Sequence, residues 1–356
     1  MVQNLRRLYL SIIRKEQKGL LPSLVLSILS LLSYFYYAAL RIRGLLYRYG
    51  ILESVPLPVP VISVGNITTG GTGKTPCLEF ITRFLLDRGK KVAILSRGYA
   101  GMEIQGNQVN DESLELAERL PGVRVLLGKN RLSSARKALK DDGPDCLLLD
   151  DGFQHQRLAR DLDIVVIDAL QPFGNGDLIP AGILREPVNG LNRANLLILS
   201  HTDLCEPVEI QAIKKRLGEI DCHIPTLEAV HHPLHLEDMT GRRIDLPWLK
   251  GKKIYAFCGL GNPKSFEKTL QLTGADVVTF NDFPDHHYYS AGELAEIDAG
   301  AVKLGVDAVV TTQKDLVKIK NVGDHSWQTR ILSLRVELRI TNGLDVLSEK
   351  LEKVIA

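Results

Sequence analysis

Apolar positions along this chain fall into three regimes. From Gly19 to Leu40 no residue is charged, and the run holds Leu24-Val25-Leu26-Ser27-Ile28-Leu29 and Tyr34-Phe35-Tyr36-Tyr37. From Val61 onward, short unbroken apolar runs alternate with stretches whose apolar residues recur at helical spacing. The runs at 61–65, 91–96, 123–127, 145–150, 162–168 and 195–200 read as strands, and the stretches at about 75–88, 112–120 and 130–141 read as helices. Continuous apolar runs between helical patterns predict parallel strands buried on both faces. Right-handed crossovers then wind them into a doubly wound, mostly parallel sheet with its site at the strand C-terminal ends. A second series starts near Gly251, with strands at 252–258, 275–280, 307–312 and 330–338 and helices at about 264–273, 291–304 and 344–354. The expected architecture is α/β, with a membrane-associated N-terminal helical segment (1–55), a core domain (56–245) and a smaller C-terminal α/β domain (246–356) packed against the core. Residues 41–60 read as a short amphipathic piece and then a proline-punctuated linker, Pro56-Leu57-Pro58-Val59-Pro60.

The first regime is long enough to cross a bilayer, with tyrosines clustered at one end as at an interface. A cleaved signal peptide is not expected, since the polar stretch before it is long and no clear A-x-A site follows. Basic residues flank both ends: Arg6, Arg7, Arg14, Lys15 and Lys18 before, Arg41, Arg43 and Arg48 after. A single span with the core inside would export the first cluster, against the positive-inside tendency. The favoured reading is a helix in or dipping into the cytoplasmic leaflet, its basic flanks on anionic head groups. A true span and a buried core helix are the alternatives.

At 45% hydrophobic and 24% charged, the chain of 356 residues is long enough for two ordinary domains and rich enough to build their cores. A formal net charge of +2 without a basic block argues against broad nucleic-acid binding. The cysteines (Cys77, Cys146, Cys205, Cys222 and Cys258) stand far apart with no C-x-x-C pair, which points to reduced thiols and no structural zinc. Cys77 reads as a small packing residue.

The run Val61-Ile62-Ser63-Val64-Gly65-Asn66-Ile67-Thr68-Thr69-Gly70-Gly71-Thr72-Gly73-Lys74-Thr75-Pro76 is a strand, a glycine-rich turn and a helix start. Such a loop lets successive N–H groups point inward at an anion. Thr69, Gly70, Gly71, Thr72, Gly73, Lys74 and Thr75 would cradle a nucleoside triphosphate, with Lys74 reaching the β- and γ-phosphates and the Thr75 hydroxyl on Mg²⁺. Pro76 suits the first helical turn. One position departs from the usual pattern: Thr68 stands where glycine is expected. A glycine-rich turn with a chance Lys-Thr is the plain alternative.

Leu147-Leu148-Leu149-Asp150-Asp151-Gly152-Phe153-Gln154-His155 places acids at a strand end, where a phosphate-loop enzyme reaches Mg²⁺. Adjacent side chains on a strand point oppositely, so Asp150 is assigned to the metal and Asp151 to a supporting role. Gln154 and His155 fall on the loop beyond as nucleotide-contact candidates, a hydrogen-bonded loop histidine being the alternative for His155. Arg97, in Ser96-Arg97-Gly98-Tyr99 after a strand, can clamp a phosphate; a surface salt bridge is its alternative. Glu186 follows a Gly/Pro-rich loop from Pro172 to Gly182 of the kind that is often functional, and joins Thr75 and Asp150 as a candidate Mg²⁺ ligand. Asn110-Asp111-Glu112 opens a helical pattern and reads plainly as an N-cap. Phe283-Pro284-Asp285-His286-His287-Tyr288 ends a strand; metal binding there lacks a third ligand at a recognisable spacing, and an acid orienting a histidine proton carrier is the alternative. Gly259-Leu260-Gly261-Asn262-Pro263 lacks the third glycine of a dinucleotide site and reads as a tight strand-to-helix turn. Neither Ser200-His201-Thr202-Asp203 nor Thr311-Thr312-Gln313-Lys314-Asp315 has a guanine-reading pattern, so ATP is the expected nucleotide.

In this order, the phosphate loop, Ser96-Arg97-Gly98-Tyr99, Asn110-Asp111-Glu112, Asp150-Asp151-Gly152-Phe153-Gln154-His155, Leu184-Arg185-Glu186-Pro187 and Phe283-x-Asp285-His286 resemble the tetraacyldisaccharide 4′-kinase family of lipid A biosynthesis over nearly the whole chain. The resemblance implies a P-loop kinase at the cytoplasmic face of the bacterial inner membrane, using ATP and Mg²⁺. Its acceptor would be a tetraacylated glucosamine disaccharide 1-phosphate, phosphorylated at the 4′-hydroxyl to give lipid IVA. It also implies Asp111 as proton acceptor and His286 as its partner, beside Lys74 and Asp150. Here the family's Gly-Asp-Glu reads Asn110-Asp111-Glu112, its Thr-Glu-Lys-Asp reads Thr312-Gln313-Lys314-Asp315, and its Thr-Arg-x-Asp reads Ser200-His201-Thr202-Asp203. No nucleic acid and no obligate protein partner are expected. Two rival readings are a membrane-tethered NTPase that drives a partner and a non-enzymatic nucleotide sensor.

Overall fold

The computed structural model of the chain describes residues 2–97, 102–104, 107–109, 111–220, 223–285, 287–320, 322 and 326–356; for 2–7, 102–104, 107–109 and 111–113 it describes the backbone alone. Two helices come first, α1 (Val2–Ile13) and α2 (Leu20–Arg48). Pro22 lies in the first turn of α2, where it costs no hydrogen bond. The expected break after residue 40 does not occur. Ala38-Ala39-Leu40 are strong helix formers, nothing stronger than Gly44 interrupts the run, and the predicted amphipathic piece is the last two turns of the same helix. One face of α2 docks on the loop before residue 187: Ser33 Oγ donates to the Leu178 carbonyl (2.8 Å) and Tyr36 Oη to that of Arg185 (2.7 Å). Further along, Arg43 donates to the Gln154 carbonyl (2.6 Å). Upstream, Leu20, Leu24, Ile28, Leu31 and Leu32 stay exposed.

The strands and helices then follow in chain order. The first half comprises β1 (Val61–Gly65), α3 (Lys74–Leu86), β2 (Val92–Ser96), a hairpin of β3 (Met102–Ile104) and β4 (Asn107–Val109), α4 (Asp111–Arg119), β5 (Arg124–Leu127), α5 (Arg131–Asp141), β6 (Cys146–Asp150), β7 (Leu162–Asp168), β8 (Leu196–Ser200), α6 (Pro207–Gly218) and β9 (Thr226–Asp238). The second comprises β10 (Arg243–Asp245), β11 (Lys253–Cys258), α7 (Pro263–Leu272), β12 (Asp276–Asp282), α8 (Ala291–Leu304), β13 (Ala308–Thr312), α9 (Gln313–Lys320), β14 (Ile331–Asn342) and α10 (Leu344–Ile355). The parallel order β5-β2-β6-β1-β7-β8 is the expected doubly wound core, and every residue of β1, β2, β6, β7 and β8 is buried. Helices cover both faces, with Leu78, Ile81 and Leu85 of α3 packed on one of them.

The two halves share one 12-stranded sheet. β9 continues the first half in parallel with β8 and then pairs antiparallel with β14, which opens the parallel series β14-β13-β11-β12. Periodicity missed β9 because Thr226-Leu-Glu-Ala-Val-His-His-Pro-Leu-His mixes polar and apolar residues without a strand period and carries a proline. That proline sits at a register shift: Arg335 faces His235 while Val336 faces Pro233, so Pro233 falls at a bulge, where a strand tolerates a missing N–H. The chain returns along β14, and α10 places Leu347 and Leu351 in the same core as Ile62, Leu78 and Ile164 of the first half.

A buried ionic cluster crosses this seam. Glu79 of α3 accepts from Arg119 of α4 (2.9 Å) and from Arg335 of β14 (2.5 Å). Arg119 also pairs with Glu115 (2.7 Å), and Arg335 donates to the Gln313 amide oxygen at the start of α9 (2.6 Å). Burial, followed by the charge of Arg119, pulls the Arg335 guanidinium down to about 10 despite Glu79. The cluster thus ties the helix that follows the phosphate loop to the second half.

Candidate active site

β1 ends at Gly65, where a Cβ would lie 2.6 Å from the Phe153 Cβ, so the loop leaves the sheet against the Asp-Asp-Gly-Phe segment only because this residue has no side chain. Gly70 (φ 117°) and Gly73 (φ 87°) take left-handed backbone, and α3 starts at Lys74 with no side-chain cap on its first turn. Free N–H groups at a helix start are an anion site. Thr68 acquires a reason: it bridges antiparallel to Leu184, while the Thr69 N–H donates to the Ile183 carbonyl (2.7 Å). The loop is braced from inside by Asn66 Nδ2, which donates to Thr72 Oγ1 (3.1 Å).

Both acids at the end of β6 reach this cleft. Asp150 is buried and accepts from Ser96 Oγ (2.9 Å). Asp151 has left the strand in a left-handed conformation (φ 53°), and the alternation rule no longer separates the two side chains. Its carboxylate lies 3.6 Å from Lys74 Nζ and 2.7 Å from the Arg185 guanidinium. Burial opposes this charge, but Lys74 and Arg185 outweigh it and hold the carboxyl well below the usual carboxylate range. Asp151 therefore steadies the phosphate-loop lysine. Arg185, which sequence reasoning passed over in favour of its neighbour, is its second partner.

A cavity of about 470 Å³ opens over the loop. Thr69 to Thr75, Arg97, Asp150, Asp151 and Arg185 line one wall; Leu260, Asn262, Phe266, Asp285, Gln313 and Lys314 line the wall contributed by the second half. Lys74, Thr75 and Asp150 are thus brought together as expected. Gln154, His155 and Glu186 are not among its lining residues. Gln154 Nε2 donates to the Asn66 carbonyl and to Glu186 Oε1, both at 2.7 Å, and Arg193 pairs with Glu186 Oε2 (2.8 Å). Gln154 and Glu186 face a separate cavity of about 400 Å³ under α2. The His155 Nε2 is buried without a hydrogen bond, and burial, then Arg131, pulls the imidazole down to about 4. Asp111 heads α4 with its side chain outside the described residues, and His286 lies outside them altogether. Its neighbour Asp285 pairs with Lys314 (3.1 Å) at the cleft.

No cluster of three or more His, Cys, Asp or Glu side chains positioned to hold a metal occurs among the described residues. The oxygen groups of Thr75 and Asp150 on one wall suit Mg²⁺, which keeps several waters and takes few protein ligands beside a phosphate. The ion pair with Arg193 gives Glu186 a structural employment instead.

A phosphate loop on a parallel strand, a lysine steadied by an acid from the neighbouring strand and a cleft closed by a second α/β half define a P-loop kinase fold. Residues 25–356 match the family model described as tetraacyldisaccharide-1-P 4′-kinase. Among similar proteins, the tetraacyldisaccharide 4′-kinase of Anaeromyxobacter sp. (strain K) is 40% identical, covering 96% of this chain and 94% of that one. That of Halothermothrix orenii is 34% identical, covering 96% and 97%. The crystal structure of LpxK from Aquifex aeolicus in complex with ATP superposes with a TM-score of 0.71 at 30% identity, covering 93% of this chain and all of that one. The chain belongs to the tetraacyldisaccharide-1-phosphate 4′-kinase family.

Proposed function

We propose that this protein transfers the γ-phosphate of ATP to the 4′-hydroxyl of a tetraacylated glucosamine disaccharide 1-phosphate, giving lipid IVA. The observation that carries the reading is the pairing of Lys74 with Asp151 in a phosphate loop that faces Asp285 and Lys314 across one cleft, in a chain of this family. Phosphoryl transfer asks a protein mainly for positioning and charge neutralisation. Lys74 and Arg97 supply positive charge to the phosphates, and the open first turn of α3 supplies N–H donors. Thr75 and Asp150 would hold Mg²⁺, which would supply neutralising charge to the phosphates. Asp111 accepts the sugar hydroxyl proton with His286 as its partner, a role typically worth about 10²–10⁴ in rate. Support for the histidine is indirect: the Asp285–Lys314 pair pins the residue before it at the cleft wall. Contacts of Gln154 and His155 with nucleotide, and of Glu186 with metal, find no support in the cavity lining.

The N-terminal helix supports a lipid acceptor and membrane attachment. Its docked part begins at Ser33, so the free apolar part, Leu20–Leu32, reaches only about 20 Å at ~1.5 Å per residue. A bilayer's hydrocarbon core is ~30 Å thick, which favours a helix dipping into the cytoplasmic leaflet over one spanning the membrane. The cavity under α2 joins Arg41, Arg43 and Arg48 to Leu40 and Leu45, a lining suited to an anionic amphiphile. Incubation with labelled ATP and the tetraacyl disaccharide 1-phosphate tests the reading. Acceptor-dependent transfer of label is expected. ATP hydrolysis of equal rate with and without acceptor would sink it in favour of a tethered NTPase.

A further inference from the structure

The turn Gly259-Leu260-Gly261-Asn262-Pro263, between β11 and α7, does not end at the surface. It lies on the phosphate loop. A Cβ on Gly261 would stand 2.3 Å from the Gly71 nitrogen and 2.6 Å from the Gly70 Cα, so the two halves meet here backbone to backbone. The next side chain makes a directed contact: Asn262 Nδ2 donates to Asp168 Oδ2 (2.7 Å) at the end of β7. Asp168 is buried, and its other oxygen meets His201 Nδ1 (2.9 Å) at the end of β8. His201 is itself buried in a left-handed conformation (φ 57°), which a non-glycine residue keeps only when held there.

From His201 the contacts lead back to the loop. Its ring meets that of His231 on β9 edge to face, with centroids 4.1 Å apart. The His231 Nε2 is sealed from solvent, makes no hydrogen bond and points at Gly73, where a Cβ would lie 2.5 Å away. Gly73 precedes Lys74 and ends the phosphate loop. Beside it, Ser200 Oγ donates to the Thr72 carbonyl (2.8 Å). The ends of β7 and β8 and the middle of β9 thus form a row that touches the second half at Asn262 and the phosphate loop at Gly73.

We propose that Asn262, Asp168 and His201 are positioning residues that seat the second-half turn on Gly70–Gly71 and hold the phosphate loop, through His231, in the shape that accepts ATP. The identity of the nucleotide rests on the kinase reading; the coupling rests on the contacts alone. Asn262 supplies the only donor–acceptor sense that fits, because an acid there would face the Asp168 carboxylate at hydrogen-bond distance. Gly261 supplies the clearance.

Equilibrium binding of a fluorescent ATP analogue to the full chain, with no acceptor present, tests this. Asn262→Asp is expected to weaken binding about tenfold, the scale of one charge-assisted hydrogen bond lost and a repulsion gained. Adding Asp168→Asn restores the pair in the opposite sense and is expected to bring affinity back to within about threefold of wild type. Gly261→Ala, which crowds the loop without touching Asp168, is expected to weaken ATP with the melting temperature largely kept. Wild-type affinity in Asn262→Asp or Gly261→Ala overturns the proposal. So does a loss that the second substitution fails to repair, since Asn262 would then act on the nucleotide directly. Failure of phosphoryl transfer with ATP binding intact would count against the kinase reading alone.

Discussion

The two walls of the nucleotide cleft are built by different rules. The phosphate-loop wall is local: one strand, one glycine-rich turn and one helix start place Thr69 to Thr75 within a single stretch, and β6 beside it delivers Asp150 and Asp151. Its charges are paired within that half, as Lys74 with Asp151 and Asp151 with Arg185. The opposite wall comes from the turn after β11, from α7, from the segment after β12, from the end of β13 and from within β14, elements brought there by the antiparallel seam between β9 and β14. The first wall carries the phosphate-loop lysine and its acid, and the second carries the Asp285–Lys314 pair and the close backbone contact of Gly261. A kinase built this way can keep its phosphate site as a fixed motif while the other half is placed by packing.

The sharpest break of this contrast is Lys74→Ala. Removing the phosphate-loop lysine proposed to reach the β- and γ-phosphates should lower kcat by about 10³-fold or more, by analogy with loss of other charge-stabilising groups, with the melting temperature nearly unchanged. A variant within tenfold of wild type in the transfer assay would mean the first wall does not carry the chemistry.

Next in size is Arg335→Ala, which acts on the seam. It leaves the buried Glu79 carboxylate with Arg119 as its remaining buried partner and strips Gln313 of its donor, and should cost about 3–5 kcal/mol in chemical denaturation. Replacement by Met, which removes the charge but fills the space, should cost less than Ala. Equal and small losses in both would show that the cluster does not hold the halves together.

The smallest effect is in pH dependence, at the buried loop beyond β6. The His155 imidazole, held down to about 4 by burial and by arginines, is neutral in the fold but takes a proton in the unfolded chain below its ordinary value of ~6.5. The unfolded state therefore binds more protons between these values, so stability falls as pH drops from about 6.5 toward 4. His155→Asn should flatten that part of the stability curve while leaving the plateau above pH 7 in place. An unchanged slope in this range would remove His155 as its source.

How much of this was legible beforehand follows the same division. Parallel strands buried on both faces announce themselves as unbroken apolar runs, and β1, β2, β6, β7 and β8 lie where those runs lie. Helix α6 went unread, and so did β9, whose half-exposed, histidine-rich sequence has no strand period of its own. Gln154 was expected at the nucleotide and Glu186 at the metal, because they follow the acidic strand end and a long loop. The turn after Gly152 instead aims them at each other and at Arg193, under α2. Arg185 and Asn262 carried no motif, since their roles exist only beside Asp151 and Asp168.

By itself the sequence determined the α/β class, the phosphate loop, the acids at the end of β6 and the uncharged apolar stretch of the N-terminal helix, because each depends on residues within a turn or two of one another. Only the tertiary structure decided that both halves share one sheet and that α2 docks by Ser33, Tyr36 and Arg43 while its start stays free. It also decided that Asp151 holds Lys74 and that a glycine turn of the second half rests on the phosphate loop. The reason is physical: strand pairing, close backbone approach and buried ion pairs join residues far apart in the chain, and their register is set by the packing of the whole sheet.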